Sequence, residues 1–148
     1  MRKGSRSAAR SAVRALDALA LLVVSSCSMG TDSGDRPTSA RVRVEGASSQ
    51  RLTLVTAMDF YEQYSPDTGE TSAVVVEADT SVITLPYDQT LDISSTGSVY
   101  VELRNFAADS ATVRLRVDLD NGQTSDRTAT LLDDAGLVYY YLFYDYAY

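Results

Sequence analysis

Val113, Leu115, Val117 and Leu119 alternate without a break with Arg114, Arg116, Asp118 and Asp120. Successive side chains of a strand point to opposite faces, so this run has one dry face and one wet face. A helix would scatter the same residues around its circumference. The pattern fits an antiparallel sheet buried on one side. Asn121-Gly122 follows at once, and such a pair between extended runs predicts a two-residue type I′ hairpin. Asn121 is then expected at positive φ, with a return strand over residues 123–132.

The same grammar recurs along residues 41–148. Val42 and Val44 alternate with Arg41, Arg43 and Glu45 up to Gly46, and Leu52 and Leu54 open a run that continues toward Tyr64. In Ser65-Pro66-Asp67-Thr68-Gly69, Pro presets φ and Gly accepts a positive one, which predicts a turn. Ala73-Val74-Val75-Val76 is β-branched and reads as buried on both faces. Residues 82–85 stop at Pro86, residues 90–93 stop at the turn-forming residues 94–97, and Val99, Val101 and Leu103 begin the next alternation. Asp133-Asp134-Ala135-Gly136 turns into a last strand over 137–144. Short strands at this spacing predict an all-β fold, a single Ig-like antiparallel β-sandwich of about 7–9 strands.

The N-terminus has a different organisation. Arg2, Lys3, Arg6, Arg10 and Arg14 precede the apolar run 18–24, which small residues follow. A basic region, a short apolar core and a small-residue cleavage point make a secretory signal. The run is too short for a membrane-spanning helix, which needs about 20 apolar residues. Val24-Ser25-Ser26-Cys27 resembles the lipobox of bacterial lipoproteins. That resemblance implies cleavage before Cys27, acylation of its thiol with chains such as palmitate, and anchoring at the extracytoplasmic face of a cell membrane. Cys27 is the single cysteine, so no internal disulfide is available to it. The organisation read from the sequence is a signal peptide over 1–26, a lipidated Cys27 with a flexible tether to residue 40, and a β-sandwich over 41–148. Small polar residues make 28–40 poor at packing. Processing removes five bases and Asp17, leaving 8 basic against 19 acidic side chains and a net charge of −11 instead of −7. Such a surface repels nucleic acid and anionic headgroups.

Chemistry is sparse. There is no histidine, which removes the commonest general base and metal ligand. No phosphate loop or dinucleotide fingerprint occurs, and no cofactor motif is present. An acidic pair of the glycosidase kind stays open among 19 carboxylates. Asp118, Asp120 and Asp126 make a minor calcium hypothesis. The glycine of Asp118-Leu119-Asp120-Asn121-Gly122, however, stands one place too early for an EF-hand loop.

Six of the ten tyrosines lie in 139–148. Val138, Tyr140, Leu142, Tyr144, Tyr146 and Tyr148 share one face of an extended chain; Leu137, Tyr139, Tyr141 and Phe143 share the other. A strand apolar on both faces is expected in the centre of a sheet. Tyrosine also suits surfaces where one side meets a partner and the hydroxyl stays wet. Residues 137–143 are therefore expected in the sheet, with Tyr144, Tyr146 and Tyr148 on an interaction surface.

From about Val42 to Leu142 the order of elements resembles the mycobacterial small membrane proteins called MmpS. The resemblance rests on Val42-x-Val44-x-Gly46, a Tyr-rich strand and polar turn near residues 64–70, Leu85-Pro86-Tyr87, Leu103-Arg104-Asn105 and Val117-Asp118-x-x-x-Gly122. Tyr87 stands where that family commonly has Trp, and its pair of sandwich cysteines is missing here. Its anchor is a transmembrane helix, not acyl chains. The resemblance implies a small extracytoplasmic β-sandwich that assists a membrane transporter. Taken together, the expectation is a non-enzymatic interaction or accessory module held at the membrane by its acyl anchor. The alternative is an extracytoplasmic binding protein that stacks a small apolar or carbohydrate ligand on Tyr side chains. A tyrosine-lined hollow would favour the ligand; a flat aromatic strand edge would favour a protein.

Overall fold

Alternating apolar residues leave each strand with one face to bury, and two such sheets can bury theirs against each other. The computed structural model describes residues 35–47 and 51–144, and these form the all-β sandwich the sequence predicts. Its strands are β1 (Ser39–Gly46), β2 (Leu52–Ser65), β3 (Glu70–Ile83), β4 (Tyr87–Asp92), β5 (Val99–Asn105), β6 (Ala111–Leu119), β7 (Thr124–Leu131) and β8 (Ala135–Tyr141). Every pairing is antiparallel. The first sheet has the order β4-β1-β6-β7, the second β3-β2-β5-β8. Only β2–β3 and β6–β7 are hairpins within a sheet; every other connection crosses between the two. Among the described residues there is no helix long and apolar enough to cross a membrane.

The core lies between the sheets. Val42, Val44, Val113, Leu115, Val117 and Leu119 from the first meet Leu52, Leu54, Val99, Val101 and Leu103 from the second, all buried. Asn105 joins them at 0 % exposure. Its amide donates to the carbonyls of Asp109 (2.8 Å) and Leu131 (3.1 Å), and its Oδ1 accepts from the Ala107 amide (3.0 Å). A buried amide so satisfied ties the β5–β6 turn to the end of β7 without leaving a polar atom stranded.

The structure departs from the sequence reading at four places. The β6–β7 turn is not type I′, since Asn121 is not at positive φ and Gly122 is, at 91°. The Gly122 amide donates to the Leu119 carbonyl (3.0 Å) and the Leu119 amide to that of Gln123 (2.8 Å). The loop is therefore three residues, 120–122, a type I turn closed by a left-handed glycine. The cause lies at the other end of the chain: the Thr38 amide and hydroxyl donate to the Asp120 carboxylate, and the Asp120 amide donates to the Ser39 carbonyl. Those bonds draw Asp120 out of the strand and into the turn. The β2–β3 turn, by contrast, follows expectation, with Gly69 at φ 70°.

The second departure is the Val-rich run 73–76. It lies within β3, an edge strand, and Val76 is 61 % exposed. Residues 82–85, read as a separate strand, are in part the end of that same long strand. Third, the tyrosine-rich β8 is the opposite edge of the second sheet, not its centre. It stays apolar on both faces because each face covers a different cluster, as described below. Fourth, the expected tether is held from Arg36 onward. That guanidinium stands 5.9 Å from the centre of the Phe143 ring, Pro37 is buried, and β1 starts at Ser39.

Candidate functional site

Strand β2 changes sides at Asp59. Leu52, Leu54 and Met58 pack on the core, while Val55 and Ala57 face outward. Simple alternation would send residue 60 inward. The pairing with β3 slips on either side of Asp59, between Thr56 and Asp59 and again between Asp59 and Phe60. One extra residue reverses the parity of everything beyond it. Phe60 and Glu62 are thereby delivered to the outer face of the second sheet, 57 and 60 being outward instead of 57 and 59.

On that face a second apolar cluster forms. Ala57, Phe60 and Tyr100 are buried at 6, 6 and 7 % exposure, with Ala73, Val75, Val138, Tyr140 and Leu142 packed around them. The Phe60 ring centre lies 6.0 Å from Tyr100, tilted at 55°, and 6.0 Å from Tyr140, edge-on at 75°. These are favourable aromatic geometries. Tyr100 and Tyr140 stand directly opposite each other across β5 and β8. The other face of β8, with Leu137, Tyr139 and Tyr141, packs against the central core.

Two carboxylates organise the hydroxyls. The Tyr140 and Tyr144 hydroxyls donate to Glu62 Oε1 and Oε2 at 3.1 and 2.6 Å. Tyr100 donates to Glu102 (3.0 Å), which also receives Arg104 Nε at 2.6 Å. Burial, and then the Glu102 charge, push the Tyr100 hydroxyl up to about 12. Tyr139 is pushed up to about 12 as well, by burial and then by Tyr141. Both hydroxyls therefore keep their protons well past neutrality.

Of the residues expected on the interaction surface, Tyr144 lies just beyond β8, 52 % exposed, at the rim of this cluster. Tyr146, Tyr148 and the acylation candidate Cys27 lie outside the described residues. The three calcium candidates are not brought together. Asp118 accepts from Arg43, Arg116 and Thr124; Asp126 from Arg114; Asp120 from Thr38. Burial pushes Asp118 up, but those three donors outweigh it and leave its carboxyl below the ordinary range. Among the described residues no cluster of three or more acidic, His or Cys side chains is arranged to hold a metal.

A hollow of about 180 Å³ opens at the bulge and is lined by Thr56, Ala57, Met58, Asp59, Glu77, Ala78 and Asp79. No tyrosine lines it, and it falls below the few hundred Å³ usual for a small-molecule site. The aromatic cluster itself is largely buried, with Tyr64 and Tyr144 exposed nearby. Sequence reasoning found Tyr144 but missed Phe60, Glu62, Tyr100 and Glu102. The available signal was the broken alternation at Met58-Asp59-Phe60. No protein-family model, no curated protein and no solved structure matches the chain.

Proposed function

We propose that this protein is a lipid-anchored β-sandwich of the cell envelope that works as a non-enzymatic interaction module, with the outer aromatic face of its second sheet as the contact surface. The observation that carries the reading is the pair of exposed tyrosines, Tyr64 and Tyr144, beside the buried cluster of Phe60 and Tyr100, next to a hollow that contains no tyrosine. Tyrosine-rich surfaces of this kind favour protein partners, since each ring offers apolar area and a hydrogen-bonding tip. The resemblance to MmpS proteins makes a membrane transporter the first partner to seek. Acylation at Cys27 would hold the domain at the extracytoplasmic face of the membrane, where a net charge of −11 gives no attraction to anionic lipid.

The test is photo-cross-linking in intact cells with a reactive aromatic residue at Tyr144, and with Arg41 on the first sheet as control. Capture of a membrane protein from Tyr144 alone supports the reading. Equal capture from both positions, or none, overturns it. Cys27→Ala should release the protein from membranes or leave an uncleaved precursor, and an unmodified Cys27 in the intact mass of membrane-derived protein rules out the anchor. Deleting residues 144–148 should weaken capture while changing thermal stability little.

A further inference from the structure

We infer that the free edge of β3 is the docking rail for an extended, arginine- or lysine-bearing segment of a partner protein, which adds to the second sheet as a fifth strand. This inference rests on the interaction-module reading above and names the chemistry of the partner.

A sandwich of two open sheets has four edges, and each exposes unpaired backbone groups unless protected. Three are guarded here. Strand β4 is six residues long, begins after Pro86, and is clasped to β1 by Arg41–Asp88. Strand β7 carries the charges Asp126 and Arg127. Arg127 also reaches over to β8 and donates to the Val138 carbonyl (3.0 Å), occupying an acceptor of that edge. Strand β3 is guarded only by acids, Glu70, Glu77 and Asp79, and by the slip at Asp59, and these leave the stretch from Thr71 to Val76 bare. It runs fourteen residues with no Lys, Arg, Pro or Gly, and its run Thr71-Ser72-Ala73-Val74-Val75-Val76 is uncharged and strongly strand-forming. Among the described residues its one neighbour in the sheet is β2.

Charge selects the occupant. From Leu52 to Ile83 the hairpin carries Asp59, Glu62, Asp67, Glu70, Glu77 and Asp79 and not one base. All six are exposed, and none is in an ion pair among the described residues. A second copy of the chain would bring like charge to like charge, whereas a basic strand is attracted. Main-chain bonds would supply the pairing and alternate side chains the specificity. Because Val75 sits opposite Phe60 on the outer face, an added strand would also widen the aromatic cluster.

The probe is a synthetic peptide of alternating Val and Arg, ~8 residues long to match a typical strand. It is titrated into the full chain in detergent, with hydrogen exchange read residue by residue. The expected result is saturable binding with slowed exchange in β3, at least ~10-fold weaker for Val76→Lys and for a backbone N-methylated peptide, and unchanged for Thr90→Lys on β4. Equal binding of the N-methylated peptide would reduce the effect to charge alone and overturn the proposal. So would protection at β8 in place of β3, or β3–β3 protection in a dimer without peptide. Cross-linking from Tyr144 that captures a partner while β3 exchanges freely would sink this inference and leave the interaction module standing. Peptide bound along β3 with no captured envelope protein would do the reverse.

Discussion

The outer faces of the two sheets solve the same problem in opposite ways. The strands of the first sheet carry five arginines and five acids, and they interlock. Arg43 and Arg116 are directly opposite across β1 and β6, an arrangement that repels, yet Asp118 accepts from both. Arg114 binds Asp126, and Arg41 binds Asp88. The strands of the second sheet carry six acids and one arginine. There the outer face is filled with rings, and its carboxylates are met by tyrosine hydroxyls and by Arg104. A face whose charges mostly pair with one another has little left to offer a partner. A sheet whose remaining acids, Asp59, Glu70, Glu77 and Asp79, lie outside any ion pair among the described residues keeps its binding capacity for something else.

The sharpest way to break this contrast is Phe60→Ala. Phe60 centres the outer cluster, and its loss should cost about 3–4 kcal/mol in chemical denaturation, the lower part of the range for large aromatic deletions. A cost within error of zero would mean that the second face is surface decoration and not a second core.

Titration separates the faces next. Asp88, Asp118 and Asp126 all titrate below the ordinary carboxyl value of 3.8 because arginines and hydroxyls hold them ionised. Their stabilisation is complete above that value and should drain away as the pH falls below it toward their folded-state values. Tyr100 behaves with the opposite sign: raised from 10.0 to about 12, it favours folding below pH 10.0 and loses that contribution between 10.0 and about 12. Melting curves across pH should show both limbs, and Tyr100→Phe should shrink the alkaline limb while leaving the acid one. An alkaline limb unchanged in Tyr100→Phe would place the alkaline weakness elsewhere.

Asp118→Ala follows, at about 1 kcal/mol, since it takes one acceptor from two arginines and Thr124 on a partly wet face. Fluorescence-monitored unfolding is precise enough to see it. Smallest of all is the Arg114–Asp126 pair on the same sheet, half open to solvent. A double-mutant cycle should give a coupling that fades in about 0.5 M salt, where the screening length is only a few ångströms. A coupling that survives salt would show that the first face is drier than its exposure suggests.

Much of the fold could be read directly. The runs at Val42–Val44, Leu52–Leu54 and Val113–Leu119 placed the core residues, and Pro66 with Gly69 placed a turn, because each depends on neighbours only a few residues apart. What escaped depends on distant ones. The Asn121-Gly122 turn was reshaped by Thr38, 82 residues away, and the rank of β3 and β8 as edges is set by strand order. Apolar runs look alike whether they are central or shield two separate clusters from an edge. The candidate site was legible only at Tyr144, because Phe60 reaches its neighbours through a slip in register that periodicity treats as noise.

That slip at Asp59 also divides the β2–β3 hairpin into halves with separate duties. Nearer the strand ends at Leu52 and Ile83, side chains answer to the core, and any change there is felt by the whole sandwich. Past the bulge the same two strands answer only to the outer face, and their tip at residues 66–69 is exposed. The tip half is therefore free to vary its chemistry without renegotiating the fold, so a lineage of such chains could change partners by drifting at Tyr61, Tyr64 or Glu70 while its core stayed fixed.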